Sequence, residues 1–549
     1  ALYGSSEPGG TLNVVTKKPQ FTPSHSAGLQ IGGLGFRRAT LDTTGALGAG
    51  VAYRLNVAAE DGASRTSLLD NRKYVIAPAL TWVIDANTVL QYEAEFIRIR
   101  TPLDRGLVQI NGDALALPRD RYLGEASRGN LRVTGDTHQL ALDRELGAGW
   151  RARVGASYRE TELEGDAVDL TGALRADGRT LTRRDSWRSL PARDVSVQAE
   201  VEGRFRAAGV GHTLLAGLES WRLAMGQDIL YSNLATQPFA IDVQAPVYGQ
   251  PRGILRPGFA TDDRQRATGV FVQDQVDLTT RWKLLAGVRF DRFHQDFQDF
   301  LAGTRQTQSH SAATPRVGLT YLPTPDSSLY VSAGRSFRPN AGADESGTAF
   351  APQKGQALEA GAKWQSPDQR LNGALAVFDI QKTNVLTRSP TNVNFNIAAG
   401  EVRSRGLEAD VAGRLDAHWR LTANFAYTDA EVTRDNNPAL VGKRPANIPR
   451  VSAGLFAIRE DRLADGGRWG VGGGLVHVGE RTGTATDTYR LPAYTTVRLT
   501  AYWQLDPRTR LGLDLHNAFD KHYALASWGA LTVIPGLGRQ LVASVQVRF

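Results

Sequence analysis

Three periodicities together predict an all-β fold: a transmembrane antiparallel β-barrel of about 22 strands, with short periplasmic turns and long extracellular loops. Apolar and polar side chains alternate in segment after segment, short connections take turns with long ones, and tryptophan gathers beside the short ones. The alternation is clearest at the end of the chain, where Leu541, Ala543, Val545, Val547 and Phe549 share one face and Val542, Ser544, Gln546 and Arg548 the other. A strand has a side-chain period of two, so one face of this segment is oily and the other mostly wet.

The same pattern recurs upstream. Leu90, Tyr92, Ala94 and Phe96 alternate with Gln91, Glu93 and Glu95. Trp150 to Tyr158, Trp282 to Phe290 and Thr495 to Trp503 repeat it, with Arg, Lys, Asp and Thr on the wet side. Short connections are expected at 48–50, 85–87, 147–149, 277–281, 367–369, 416–418 and 506–508. Long loops are expected near 103–128, 166–181, 227–263, 298–310, 338–356, 433–447, 480–490 and 524–538. Trp82, Trp150, Trp282, Trp364, Trp419, Trp469 and Trp503 all lie within a few residues of a short connection. Indole favours a membrane–water interface, so these residues predict an aromatic girdle at the short-turn rim. Three positions resist the pattern. Pro78 and Pro191 fall inside expected strands, where a missing N–H interrupts a ladder. Asp274 shares a face with Val270, Val272 and Val276, which predicts a bulge or a strand end there.

Composition narrows the function classes. Hydrophobic residues make up 41% of the 549, and no run approaches the roughly 20 apolar residues of a membrane-spanning helix. Absence of cysteine excludes thiolate metal sites and thiol catalysis. The net charge is +8, but the Arg and Lys residues are dispersed over hairpins rather than gathered in a stripe, which argues against nucleic acid. Outer-membrane lipid and lipopolysaccharide are the expected surroundings, in the outer membrane of a Gram-negative bacterium. The chain opens at Ala1 with neither Met nor an apolar export signal, so a preceding segment is expected.

Catalytic patterns are lacking. The nine histidines form no His-x-x-x-His pair, and His516 and His522 read as lumen and rim residues rather than zinc ligands. Gly470 to Gly474 is followed by no helix signal and reads as a crowded strand rather than a phosphate loop. No serine has the strand–turn–helix setting of a nucleophile elbow. No enzyme, cofactor or protein metal site is expected.

Leu2 to Pro19, Leu-Tyr-Gly-Ser-Ser-Glu-Pro-Gly-Gly-Thr-Leu-Asn-Val-Val-Thr-Lys-Lys-Pro, resembles the last plug segment of TonB-dependent siderophore receptors. Its Glu7-Pro8-Gly9-Gly10 is similar to that of the ferrichrome and other hydroxamate receptors. Further resemblances follow in order: Phe271–Gln275, Leu329–Ser332, Arg403–Glu408, Asn517–Tyr523 and Pro535–Arg539, ending on Phe549. The resemblance covers essentially the whole chain. It implies that residues 1–22 are the end of a plug domain and residues 23–549 the barrel, with most of the plug and the TonB box absent. The implied protein is a monomeric receptor and transporter for a ferric siderophore, energised through the TonB complex, with iron arriving already chelated. Other scarce ligands, such as a corrinoid or haem, and a passive pore are the alternatives. The resemblance also implies that two inward carboxylates, Glu359 and Glu408, contact plug arginines through charge-assisted hydrogen bonds.

A ferric siderophore presents apolar edges and anionic oxygens, which suit aromatic faces and basic donors. On the expected loops these are Tyr231, Phe239, Tyr248, Phe259, Phe350 and Trp528, with Arg252, Arg338 and Arg388 as anion partners. The aromatic, charge-poor 227–263 segment is the strongest candidate.

Overall fold

The computed structural model describes residues 7–549 apart from 67, 234–238, 341, 343, 345–348, 390–395, 464–465 and 530–531. A closed barrel of 22 antiparallel strands dominates it. Strands follow chain order around the wall from Ser24–Gly32 to Gln540–Arg548, and these two ends pair with each other, Ser26 opposite Arg548 and Gly32 opposite Val542. Three side pairings, Phe239–Asp242 against the top of Thr180–Ala207, Arg481–Thr482 with Arg490–Leu491, and Ala524–Ser527 with Val533–Pro535, build on the extracellular loops. Among the described residues no helix is long and apolar enough to cross a membrane; the chain crosses with strands.

The alternation sorts side chains as the pattern predicts. Leu511, Val545 and Leu29 stand side by side across the closing seam, as do Leu513, Ala543 and Ile31. Leu29 is 58% and Ile31 63% exposed on the bare barrel, because their outward neighbours are lipid tails. On the other face Arg498 donates from Nε to Asp514 at 3.0 Å across the wet lumen wall. At the seam the Phe549 N–H donates to the His25 carbonyl at 3.0 Å, and the two rings stack with centroids 5.8 Å apart. The final phenylalanine thus pins the last strand to the first.

Short turns occur where expected. Asp85, Asp416 and Asp506 each accept backbone N–H bonds from residues two or three further on, which closes the turn locally. Trp150, Trp282 and Trp419 open their strands, and Trp364 and Trp503 lie next to the last residue of theirs, forming the girdle. Gly470, Gly472 and Gly474 lie in the strand Arg468–Val478, where a Cβ would collide with Tyr502, the Ala457 carbonyl and Phe456.

Two of the expected long loops are corrected. The strands Trp150–Leu174 and Thr180–Ala207 run through 166–181 and leave only 175–179 as a turn; Trp282–Asp299 and Thr304–Thr324 likewise leave only 300–303. Above the membrane both faces of a strand meet water, so the oily half of the alternation disappears while the ladder continues. The 227–263 loop is shortened for the same reason, since its flanking strands end at Ser232 and begin at Leu255.

Pro78 and Pro191 do sit inside strands. Each keeps its pairing on one side, opposite Leu55 and Glu162, while the ladder on its other side skips two residues and resumes in the same register. Asp274 is in neither a bulge nor a strand end: pairing continues through it, opposite Leu214 and Ala286. It lies on the outward face near the short-turn rim, where His212 Nδ1 bonds its Oδ2 at 2.7 Å. His212 stacks flat on Phe205 at 5.0 Å, and Phe205 on Trp150 at 6.0 Å. The charge is tolerated because it has a polar partner at interface depth.

Candidate functional site

The end of the barrel that carries the long loops is capped by them. The 102–130 loop buries Leu107, Val108, Leu117 and Leu123 against Leu181, Ile241 and Val243. It also crosses toward the C-terminal loops, where Leu107 and Val533 exchange backbone hydrogen bonds and Arg119 Nη2 meets Asp520 at 2.6 Å. A polar layer stiffens the cap. Arg183 is fully buried, 3.7 Å from Glu125, and lies 4.0 Å over the Phe239 ring. Arg128 Nε donates to Asp185 at 2.6 Å, and Glu125 accepts from the Gly249 N–H at 2.9 Å. Burial, with Asp104 adding a smaller push, raises the Tyr122 phenol to about 12.

Four predicted residues converge on this cap. Tyr231 and Phe259 meet edge-to-face at 6.1 Å, with the Arg184 guanidinium 3.4 Å over the Tyr231 ring. Tyr248 donates its hydroxyl to the Tyr122 carbonyl at 2.8 Å and stacks on the Tyr122 ring. Phe239 is 5% exposed beneath Arg183, so in this conformation it serves the loop core rather than the open mouth. Phe350 is also buried, its N–H bonded to the Gly342 carbonyl at 3.3 Å. Trp528 stands apart on the C-terminal loop, 77% exposed. Arg252 is engaged by Asp166. The Arg388 side chain lies outside the described residues.

A different cluster lines the mouth on its inner side. Trp221, Gln265, Phe293, Gln295, Arg338, Pro339, Asn340 and Gln353 enclose a cavity of about 320 Å³. The strand Ser327–Arg338 loses its pairing with Thr304–Thr324 above Gly334 and leans inward, which packs Phe337 against Phe293, Ala267 and Ala312. Amides hold the rim: Gln295 Nε2 donates to Asp263 at 2.8 Å, and Gln353 Nε2 to the Asn340 amide oxygen at 2.8 Å. Below this rim Arg289, 1% exposed, joins Glu219 at 2.9 Å and Asp291 at 2.8 Å. An aromatic floor, an amide rim and one guanidinium are equipped to hold a polar ligand with apolar edges. Sequence reasoning named only Arg338 of this set. The available signal was Trp221, one of three tryptophans far from any short turn.

The N-terminal segment threads this lumen. Glu7 accepts from Arg338 at 2.6 Å and from Lys382 at 2.8 Å, near the mouth. Lys17 reaches Asp42 at 2.8 Å, Lys18 reaches Glu93, and Arg54 Nη1 donates to the Lys18 carbonyl at 3.0 Å. Asp42 and Glu93 were not singled out from sequence. Glu359 and Glu408 both face the lumen; Glu359 accepts from the Tyr330 hydroxyl at 2.6 Å, and among the described residues neither makes a hydrogen bond or ion pair with the 7–22 segment. His516 lines a lumen cavity of about 890 Å³ and His522 a loop cavity of about 430 Å³. No group of three His, Asp or Glu side chains is gathered as for a metal ion among the described residues.

Comparison with known proteins matches this architecture. Residues 79–518 fit the family model "TonB dependent receptor-like, beta-barrel". The metal-pseudopaline receptor CntO of Pseudomonas aeruginosa is 37% identical over 568 residues, covering 100% of this chain and 78% of that protein. The ferrichrome outer membrane transporter/phage receptor of Escherichia coli is 27% identical, covering 100% of this chain and 77% of that protein. In fold, the siderophore receptor PiuA of Acinetobacter baumannii superposes with a TM-score of 0.88 at 20% identity, over 97% of this chain and 82% of that one. These relatives are receptors and transporters. A closed 22-strand wall, a capped mouth and a family match spanning most of the barrel make the chain a TonB-dependent receptor of the Gram-negative outer membrane.

Proposed function

We propose that this receptor captures a ferric siderophore at its mouth and imports it with energy relayed through TonB. The observation that carries the reading is the Trp221–Phe293 cavity with its amide rim and Arg338, facing inward at the capped end of a wide lumen. Aromatic faces take the apolar edges of a chelate, amides its carbonyl oxygens, and the guanidinium its residual negative charge. In this reading Tyr231 and Phe259, at the upper ends of their strands, extend that grip, and Trp528 joins from the C-terminal loop only if that loop folds over the mouth. Tyr248, Phe239 and Phe350 would join only if the cap opens. Iron enters as cargo, already coordinated, so the chain needs no ligands of its own for it.

In this reading residues 1–22 are the end of a plug and residues 23–549 the barrel, acting as a monomer. Glu359 and Glu408 offer lumen carboxylates to plug arginines, as Asp42 and Glu93 do to Lys17 and Lys18. A second reading, a chelate of a metal other than iron, is favoured by one observation: the 37% identical relatives are named metal-pseudopaline receptors. A host lacking its own chelate receptors, expressing the gene for this chain, is supplied with radiolabelled iron, nickel, cobalt or zinc on a panel of purified chelators. Uptake of one ferric chelate that vanishes without TonB supports the first reading. Uptake confined to other metals transfers it to the second, and uptake independent of TonB removes both.

A further inference from the structure

The one guanidinium of the Trp221–Phe293 cavity already holds a carboxylate. Arg338 Nη1 donates to Glu7 of the N-terminal segment at 2.6 Å, and the other Glu7 oxygen accepts from the Lys382 ammonium at 2.8 Å. Pro8, the next residue, rests on Gly355, where an added Cβ would stand 2.8 Å from the proline ring. Gly355 lies opposite Ser336 on one neighbouring strand and Lys382 on the other, so bare backbone seats the segment beside both cations. A tethered anion thus fills a two-cation notch at the lip of the cavity.

Exposure decides how firmly Glu7 is held. The Arg338 side chain is 59% and Glu7 40% exposed, and ion pairs so open to water contribute little. Arg289 is the contrast: 1% exposed between Glu219 and Asp291, it cannot change partners without stranding a buried charge. Below Pro8 the segment is loose. Gly9 and Gly10 have open space around them, and Leu12 and Val14 are almost bare. Among the described residues the next side-chain hydrogen bonds are Thr16 to Glu93 at 2.5 Å and Lys17 to Asp42 at 2.8 Å, deeper in the lumen. Glu7 can therefore leave its notch while the lower anchors keep the segment in place.

Granted that the cavity holds a chelate, the reading on which this step rests, a neutral ligand meets aromatic faces, amides and an Arg338 already neutralised. A ligand with its own carboxylate can instead replace Glu7 and take charge-assisted hydrogen bonds from both cations. We propose that Arg338 and Lys382 form a subsite for a carboxylate carried by the chelate, and that Glu7 is its tethered competitor, displaced when such a chelate docks. The Glu7 carboxylate shows the chemistry the notch accepts. Its presence also sets a threshold, since a stray small anion must outcompete a group that is always at hand.

The test compares two ferric chelates on one scaffold, N-succinyl ferrioxamine B, which carries a carboxylate, and N-acetyl ferrioxamine B, which is neutral. Binding to the full receptor in detergent is read by tryptophan fluorescence, and heat-modifiable electrophoretic mobility reports that each variant is folded. Glu7→Gln should tighten the succinyl chelate roughly tenfold and change the acetyl chelate less than about twofold. Lys382→Gln should weaken the succinyl chelate alone, and Glu7→Gln should gain little in an Arg338→Gln, Lys382→Gln background. A second measurement needs no chelate: citrate should protect Arg338 from phenylglyoxal, read by peptide mass spectrometry, at a roughly tenfold lower concentration in Glu7→Gln. An unchanged succinyl affinity in Glu7→Gln, or an equal gain for the acetyl chelate, would overturn the proposal. If neither chelate binds, capture of this scaffold is refuted, and the citrate titration by itself decides the subsite: equal protection in both proteins would overturn it.

Discussion

Leu513 and Thr500 sit on paired strands and point to opposite sides of the wall, so they test its sidedness with one substitution each. Leu513 is 46% exposed on the lipid face, beside Ala501 and Ala543. It lies roughly five residues above the turn at Asp506, so about 12 Å up, near the middle of an apolar band about 25 Å tall. An arginine there meets hydrocarbon and should cost about 2–4 kcal/mol, less near the interfaces. Thr500 stands opposite Asp514 on the wet face, and Thr500→Arg places its charge beside a carboxylate and water. Its expected cost is within about 0.5 kcal/mol, the usual range for a surface change. The assay is equilibrium unfolding in urea from lipid vesicles, followed by heat-modifiable mobility and tryptophan fluorescence. If the two variants lose stability equally, or Leu513→Arg loses less than about 1 kcal/mol, the assignment of faces is wrong.

Other expectations follow from particular contacts. Arg289→Met strands the buried Asp291 beside Glu219 and should destabilise the barrel by about 3–5 kcal/mol, read as a drop in the urea midpoint. His212→Ala leaves Asp274 unpartnered on the outward face and should cost about 1–3 kcal/mol, whereas His212→Ala with Asp274→Ala should recover most of it. Tyr122 has a folded pKa raised by burial to about 12 from the ordinary 10.0 of a phenol, so its stabilising contribution is complete below pH 10 and is lost as pH rises toward 12. Absorbance of tyrosinate against pH should show a late-titrating fraction, to which the half-buried Tyr248 and Tyr523 also contribute, and Tyr122→Phe should shrink that fraction by one phenol without abolishing it. Trp221→Ala should weaken chelate binding by about tenfold or more in calorimetric titration while leaving the barrel folded.

The wall was legible because lipid imposes period two on a strand from one side and water from the other. Leu541 to Phe549, the short turns and the tryptophan girdle all record that imposition. Legibility ended where the lipid ends. Residues 166–171 and 180–181 are strand, yet their side chains meet water or loop on both faces and no alternation marks them. Asp274 defied the pattern because its partner, His212, lies on a neighbouring strand and 62 positions away. At the mouth, aromatic type alone pointed to Phe239 and Phe350, but burial is decided by tertiary packing. Trp221 and Phe293 come together only because a distant strand leans over them, which no local spacing encodes.

Closure of the wall by its two ends has a consequence for biogenesis. Ser24–Gly32 cannot acquire its second neighbour until Gln540–Arg548 exists, so nearly the entire polypeptide must be delivered before the cylinder is sealed. Until then two rows of backbone amides and carbonyls stay bare, a state intolerable in hydrocarbon and prone to mispairing in water. Insertion must therefore shield both margins to the last moment, and loss of even the terminal Phe549–His25 link would leave the final join without its clasp.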